Sequence, residues 1–270
     1  MTAEPADGTL AANYEAAKDD WSPAYLGGYL NWGYWRSVPD RPEYTAADRV
    51  HASAELYRLA LRAAGTGPGD VVLEVGCGTG TGAIEMCREF QLAEMHGVDK
   101  LESQLAAAQQ ACAEAAVAGR GKLVFQTASA DQLPYPAHQF DVVISVEALQ
   151  HFPEVRGFAR EASRVLKPGG RLAVTTFFPR AGAGFADLSE LLWSYRTGFD
   201  VATTVEDLTS ELAAAGLTGI STSCIGEHVW ASLDKWIVAN GYKHHWGRNF
   251  IVAYRRGLID YHVVTAIKPD

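Results

Sequence analysis

Short apolar runs and helix-spaced stripes alternate along the middle of this chain. Val71–Val75 (VVLEV) is a β-branched run of the kind a buried strand shows. Comparable runs recur at about 95–98, 122–127, 140–146 and 171–177. Between them the apolar spacing becomes helical. Thr45 reads as an N-cap with Asp48 in the first turn, and Leu56, Leu59, Ala60 and Ala63 follow until Gly65. Thr81–Phe90 and the Ala-rich Ser103–Val117 read as helices, the second closed by Gly119. Val155, Phe158, Ala159, Ala162, Val165 and Leu166 form one stripe, which Lys167-Pro168-Gly169-Gly170 is expected to stop. Val205–Ala215 reads as a further helix ended by Gly216, with strands expected at Ser221–Trp230 and Tyr261–Ile267. This alternation predicts an α/β fold, a parallel sheet wrapped by helices.

The pattern divides the chain in three. Residues 1–44 form an aromatic arm, with Tyr14, Trp21, Tyr25, Tyr29, Trp32, Tyr34 and Trp35. Residues 45–270 carry the main domain. Within it, 177–200 and 231–257 read as insertions with a second aromatic cluster.

Composition narrows the partners. The 270 residues are 48% hydrophobic and 20% charged, ordinary globular material. A formal net charge of −9 argues against nucleic acid and anionic membranes. No apolar run approaches a membrane span, and MTAEPADGTL lacks the order of a signal peptide. Cys77, Cys87, Cys112 and Cys224 are scattered, so no disulfide framework is expected and a cytoplasmic setting is the default. The eight histidines make no ligand pattern, His244 and His245 read as surface residues, and no metal is expected. A small-molecule partner fits this balance, and the aromatic arm leaves a homo-oligomer open.

The chemistry concentrates at VVLEVGCGTG, residues 71–80. Gly76, Gly78 and Gly80 let the chain turn sharply and let a ligand lie on bare main chain. Glu74 sits at the strand's carboxyl end, where open α/β sheets bind ligands. A second strand ends in Asp99, at the distance from which an acid accepts hydrogen bonds from a ribose diol. A G-x-G-x-x-G fingerprint fails at Thr81, which disfavours a nicotinamide dinucleotide. A P-loop fails too, since no Lys or Arg lies between Val71 and Arg88. The loop suits a ligand with a sugar, an amino group and no phosphates.

E-x-G-x-G-x-G after a strand, with an acid ending the next, resembles motif I of class I S-adenosylmethionine-dependent methyltransferases. Ala128–Tyr135 (ASADQLPY) resembles the family's adenine segment, Phe140–Val146 (FDVVISV) its fourth strand, and Val165–Leu172 (VLKPGGRL) the turn into its fifth. Tyr29–Trp35 (YLNWGYW) is similar to the aromatic segment of ubiquinone- and cyclopropane-type members. The resemblance covers about residues 70–176. It implies a Rossmann-like seven-stranded sheet with helices on both faces, its last strand antiparallel, and residues 231–257 as a lid.

It also implies roles. Gly76, Cys77, Gly78 and Gly80 would approach the methionine portion of S-adenosylmethionine, with Glu74 behind them and the Cys77 side chain packing. Asp99 would take the ribose. Lys100, Gln104, Ser129, Ala130 and Asp131 would border the adenosine, with Ser129 replacing the family's usual acid. Val146, Glu147, Trp32 and Tyr34 complete the expected cofactor pocket. His151, in LQHFP, resembles the histidine of small-molecule O-methyltransferases, either as a general base or as a loop-shaping residue. Tyr25, Trp193, Trp230, Trp236 and Trp246 are the expected wall for an apolar or aromatic acceptor, a role that core packing would imitate. The resulting expectation is a metal-independent methyltransferase of the natural-product tailoring kind. O-methylation is preferred. C- or N-methylation, methylation coupled to cyclisation, and a cofactor-binding cyclase or non-catalytic partner are the alternatives.

Overall fold

A computed structural model describes residues 26–115 and 121–270, so Tyr25 lies outside the described residues. The elements run α1 (Ala46–Ala63), β1 (Val71–Val75), α2 (Thr81–Glu89), β2 (Glu94–Asp99), α3 (Glu102–Ala115), β3 (Lys122–Thr127), β4 (Phe140–Val146), α4 (Val155–Val165) and β5 (Leu166–Pro179). Then follow α5 (Phe185–Leu191), α6 (Trp193–Arg196), α7 (Val205–Ala214), β6 (Thr218–Cys224), α8 (Trp230–Ala239), α9 (Asn249–Arg255) and β7 (Ile259–Ile267).

The seven strands form one sheet in the order β3-β2-β1-β4-β5-β7-β6. β1 to β5 pair in parallel, whereas β7 is antiparallel to both β5 and β6. The strand order reverses between β1 and β4, which opens a crevice at their carboxyl ends. Each sheet face carries its own core. One buries Leu56, Leu61, Met86 and the aromatic rings of the cap; the other buries Leu73, Phe140, Phe158, Leu172 and Leu212. Helix starts follow local chemistry. Thr45 with Asp48, and Thr204 with Asp207, each close a capping box over α1 and α7.

Three sequence expectations change. Lys167-Pro168-Gly169-Gly170 does not separate helix from strand. Leu166 already pairs with Phe140, and the register then jumps to Arg171 with Val142, so these four residues bulge from β5. The strand expected over Ser221–Trp230 ends at Cys224, and Trp230 opens α8 instead. Trp230 is wholly buried between Phe177 and Phe250, and that packing overrides its strand propensity. His245 is buried rather than on the surface. Its Nδ1 accepts the Gly247 N–H at 3.0 Å, capping a single turn at Trp246–Arg248, while its ring packs on Trp246.

Residues 231–257 fold as α8, the Trp246 turn and α9, and lie with α5 and α6 as a helical cap. The cap is held to the sheet by rings. Trp32 meets Phe250 at 5.2 Å and Trp246 at 6.2 Å, Phe177 meets Phe250 at 5.1 Å, and Trp193 meets Trp246 at 5.5 Å. Among the described residues no helix is long and apolar enough to cross a membrane.

Candidate active site

The glycine loop is shaped by its surroundings as much as by any ligand. Gly76, Gly78 and Gly80 have φ of +83°, +50° and +73°. A Cβ on Gly76 would stand 2.2 Å from the Ala148 Cβ, and one on Gly80 would stand 2.9 Å from Phe125. The Gly76 and Cys77 N–H groups donate to the Val98 carbonyl, which ties the loop to the end of β2. Asp99 accepts from the Gly78 and Leu101 N–H groups, both at 2.9 Å. Cys77 is buried, and its sulfur fills the space beside Gly97.

A cavity of about 280 Å³ opens over this loop. Gly76, Cys77, Gly78, Asp99, Lys100, Ser129, Ala130, Asp131, Val146, Glu147 and His151 all line it. The adenine segment is held from below. Arg164 donates to the Leu133 and Tyr135 carbonyls while Glu161 accepts the Leu133 N–H. Ser129 donates to Asp131, whose Cβ packs against Gly157 of α4.

Glu74 lies behind the loop, fully buried, with the Tyr57 hydroxyl beside its carboxyl. Burial, opposed in part by the Tyr57 hydrogen bond and reinforced by the charge of Asp99, pushes its carboxyl up to about 8. A cationic ammonium brought to this side of the loop meets an acid otherwise starved of positive charge. The Asp99 oxygens each keep a lone pair for a ribose hydroxyl. The left-handed glycines leave main chain bare where the methionine portion would lie. The residues thus fit S-adenosylmethionine, with Glu74 behind its amino-acid end, Asp99 at the ribose, and Ser129 and Asp131 at the base.

A second, small chamber of about 20 Å³ adjoins the first, and Leu30, Glu147, His151 and Phe199 line both. Trp32, Phe177, Trp246 and Phe250 supply aromatic walls, while Gln150, Ser194 and Asp200 supply polar ones.

Two side chains at this seam carry proton chemistry. The His151 Nδ1 lies 3.0 Å from the Phe199 carbonyl and 3.0 Å from the Asp200 Oδ1. Those two acceptors place the proton on Nδ1 and leave Nε2 with its lone pair, 3.2 Å from the Gln150 amide nitrogen. Burial alone would lower the His151 pKa, but the Asp200 carboxylate outweighs it and the net shift is upward. Glu147 is the second. It has φ of +48°, rare for a residue with a Cβ, at the end of β4. Its Oε1 accepts from the Trp32 N–H and the Tyr261 hydroxyl, both at 2.7 Å. Burial, only partly offset by these bonds, pushes its carboxyl up to about 8.

Other expected residues lie elsewhere. Gln104 is buried on α3 and Tyr34 packs edge-on against His228, and neither lines a cavity. Trp32 reaches the small chamber rather than the large one. Of the expected acceptor wall, Trp246 lines the small chamber, whereas Trp193, Trp230 and Trp236 are buried in the cap and line neither. Phe199, read in the sequence with the aromatic cluster expected at the acceptor, lines both cavities, whereas Asp200, Gln150, Ser194 and Leu30 were given no role there. Leu30 stands inside the aromatic arm segment, but Asp200 has no local signature, being brought to His151 only by the turn after α6.

Residues 73–174 match the family model described as a methyltransferase domain. The chain is 31% identical over 233 residues to 27-O-demethylrifamycin SV methyltransferase of Amycolatopsis mediterranei, covering 86% of this chain and 82% of that one. It is 34% identical over 166 residues to erythromycin 3''-O-methyltransferase of Saccharopolyspora erythraea, covering 62% of this chain and only 51% of that one. In fold it matches geranyl diphosphate C-methyltransferase from Streptomyces coelicolor, solved with S-adenosyl-L-homocysteine, at TM-score 0.78 and 17% identity over 98% of this chain and 100% of the other. The chain belongs to the class I S-adenosylmethionine-dependent methyltransferases. Its cofactor is S-adenosylmethionine.

Proposed function

We propose that this methyltransferase O-methylates a small, largely apolar natural product, with His151 as the base. The observation that carries the reading is the Asp200–His151 pair, facing the seam between the cofactor cavity and an aromatic chamber. S-adenosylmethionine supplies, when bound, a methyl group already activated on a sulfonium. What remains for the chain is to hold a hydroxyl in line and remove its proton. Asp200 and the Phe199 carbonyl fix the imidazole so that Nε2 takes the proton, and Asp200 stabilises the imidazolium that forms. The rings of Trp32, Phe177, Trp246 and Phe250 exclude water from the acceptor side. Proton transfer in this scheme needs no metal.

Two relatives support the oxygen acceptor by name, one acting on a demethylated rifamycin and one on erythromycin. The small chamber holds about one water as it stands, so a molecule of that class enters only as the cap moves. The test is turnover of hydroxylated acceptors of these two classes, read by mass spectrometry. A gain of one methylene unit is expected, and an unmethylated isomer would instead indicate a cyclase. His151→Ala should lower kcat by about a hundredfold or more while S-adenosylmethionine still binds. Full turnover in that variant removes the base role.

A further inference from the structure

On the face of β7 turned away from the cavities, three side chains with metal-ligating atoms converge. Cys224 of β6 and His262 of β7 are direct register partners, and Asp260 stands two residues before His262. All three therefore project from the same face of the sheet. The thiol sulfur, one imidazole nitrogen and one carboxylate oxygen lie within 4.8 Å of one another. Tyr261, between Asp260 and His262, points the other way, to Glu147.

The environment favours a ligand. Asp260 is 2% exposed; its Oδ1 accepts the Tyr261 N–H at 2.9 Å and its Oδ2 pairs with Arg180. The His262 Nδ1 is buried with no hydrogen-bond partner among the described residues. Cys224 is exposed on the edge strand, so a cation reaches the group from solvent.

We propose that Cys224, Asp260 and His262 form a site for a thiophilic divalent cation of the zinc class, a water completing the tetrahedron. One sulfur, one nitrogen and one oxygen match zinc's ligand preferences, while calcium and magnesium require shells of oxygens that this cluster lacks. On coordination the Cys224 S–H proton passes to solvent and a sulfur–metal bond forms. Thiolate and carboxylate then balance the divalent charge around a neutral imidazole. Bonds of about 2.0–2.3 Å bring the ligand atoms to roughly 3.5 Å apart, a contraction that rotation of the exposed Cys224 side chain supplies. Arg180 is the competitor. Its side chain is 49% exposed and holds the carboxylate that the metal needs, so it must withdraw into water as the metal enters.

The test is titration of the metal-free full chain with Co²⁺, followed by Zn²⁺ displacement and equilibrium dialysis. One equivalent per chain is expected, with a thiolate-to-cobalt charge-transfer band that zinc abolishes. Cys224→Ser should remove the band, and His262→Ala should weaken zinc at least tenfold. Arg180→Ala should tighten zinc severalfold, an effect that adventitious surface binding would not show. Zinc should slow alkylation of Cys224 by iodoacetamide. S-adenosylmethionine affinity should stay the same in all three variants, because the cluster lies across the sheet from its cavity. Absence of the band, or a band that survives Cys224→Ser, overturns the proposal.

Discussion

Between Val71 and Asp99 the wall of the large cavity is mostly main chain; between Phe177 and Phe250 the wall of the small chamber is mostly rings. On the donor side, positive-φ glycines, two backbone N–H groups on the Val98 carbonyl and the Asp99 caps define the surface within thirty residues of sequence. Around the small chamber the surface is assembled from the arm, β5, the turn at Phe199, and α9. One side holds a ligand common to the whole family, so its shape is written into backbone that side chains cannot vary. The other, where we propose the acceptor lies, is walled by rings on separate helices that can be exchanged without altering the sheet. His151 and Glu147 stand where the two sides meet.

Trp230→Ala tests this division most severely. The indole is wholly buried, stacked on Phe250 at 5.6 Å and close to Phe177 and Tyr261. Its loss should cost about 3–5 kcal/mol of stability in urea unfolding. If the sides are separable, calorimetric affinity for S-adenosylmethionine should change less than about threefold.

Gly76→Ala should do the reverse. A positive φ costs about 1–2 kcal/mol, and a Cβ 2.2 Å from that of Ala148 adds overpacking of about 1–3 kcal/mol. The thermal midpoint should fall and donor binding should be lost together. Retained affinity would show that the loop tolerates a side chain at the point where the division needs bare backbone.

Asp200→Asn addresses the seam. With the carboxylate gone, the largest influence opposing burial is lost, only the weaker pull of the Phe199 carbonyl and Asp99 remains, and the His151 pKa falls. The acid limb of kcat/KM should move to lower pH and kcat should drop about tenfold or more, with donor affinity unchanged. An unmoved limb would show that His151 is not the titrating base.

A graded effect, small for any short step in pH, lies in the pH dependence of stability without ligand. Glu74 on the donor side and Glu147 at the seam have folded values of about 8 against 4.5 for the free side chain. Between those values the folded chain keeps protons that the unfolded chain has released. Their contribution is therefore complete below about pH 4.5 and is lost as pH rises toward 8, at up to about 1.4 kcal/mol per unit for each. Thermal midpoints in differential scanning calorimetry should fall across this window, and Glu74→Gln and Glu147→Gln should each flatten the slope. S-adenosylmethionine should restore stability near pH 8 through Glu74 and leave the Glu147 component in place.

Local sequence carried the donor side because its determinants are local. Alternating glycines after a β-branched strand admit few backbone paths, and an acid ending the next parallel strand falls beside them whatever the rest of the chain does. The alternation of strands and helices was legible for that reason, whereas the antiparallel β7 followed only from the family resemblance. The bulge at Lys167–Gly170 was not, because the stop signal in Pro-Gly-Gly is the same whether the chain leaves a strand or loops out of it. Nor was the helix at Trp230, whose conformation follows from the rings it packs on. Asp200 beside His151, Tyr261 beneath Glu147, and Cys224 with Asp260 and His262 join elements whose paired residues lie between 36 and 114 positions apart. No local rule of spacing connects such partners. Side-chain pairs of that kind exist only once the sheet has set its register and the cap has closed, so tertiary structure alone decided them.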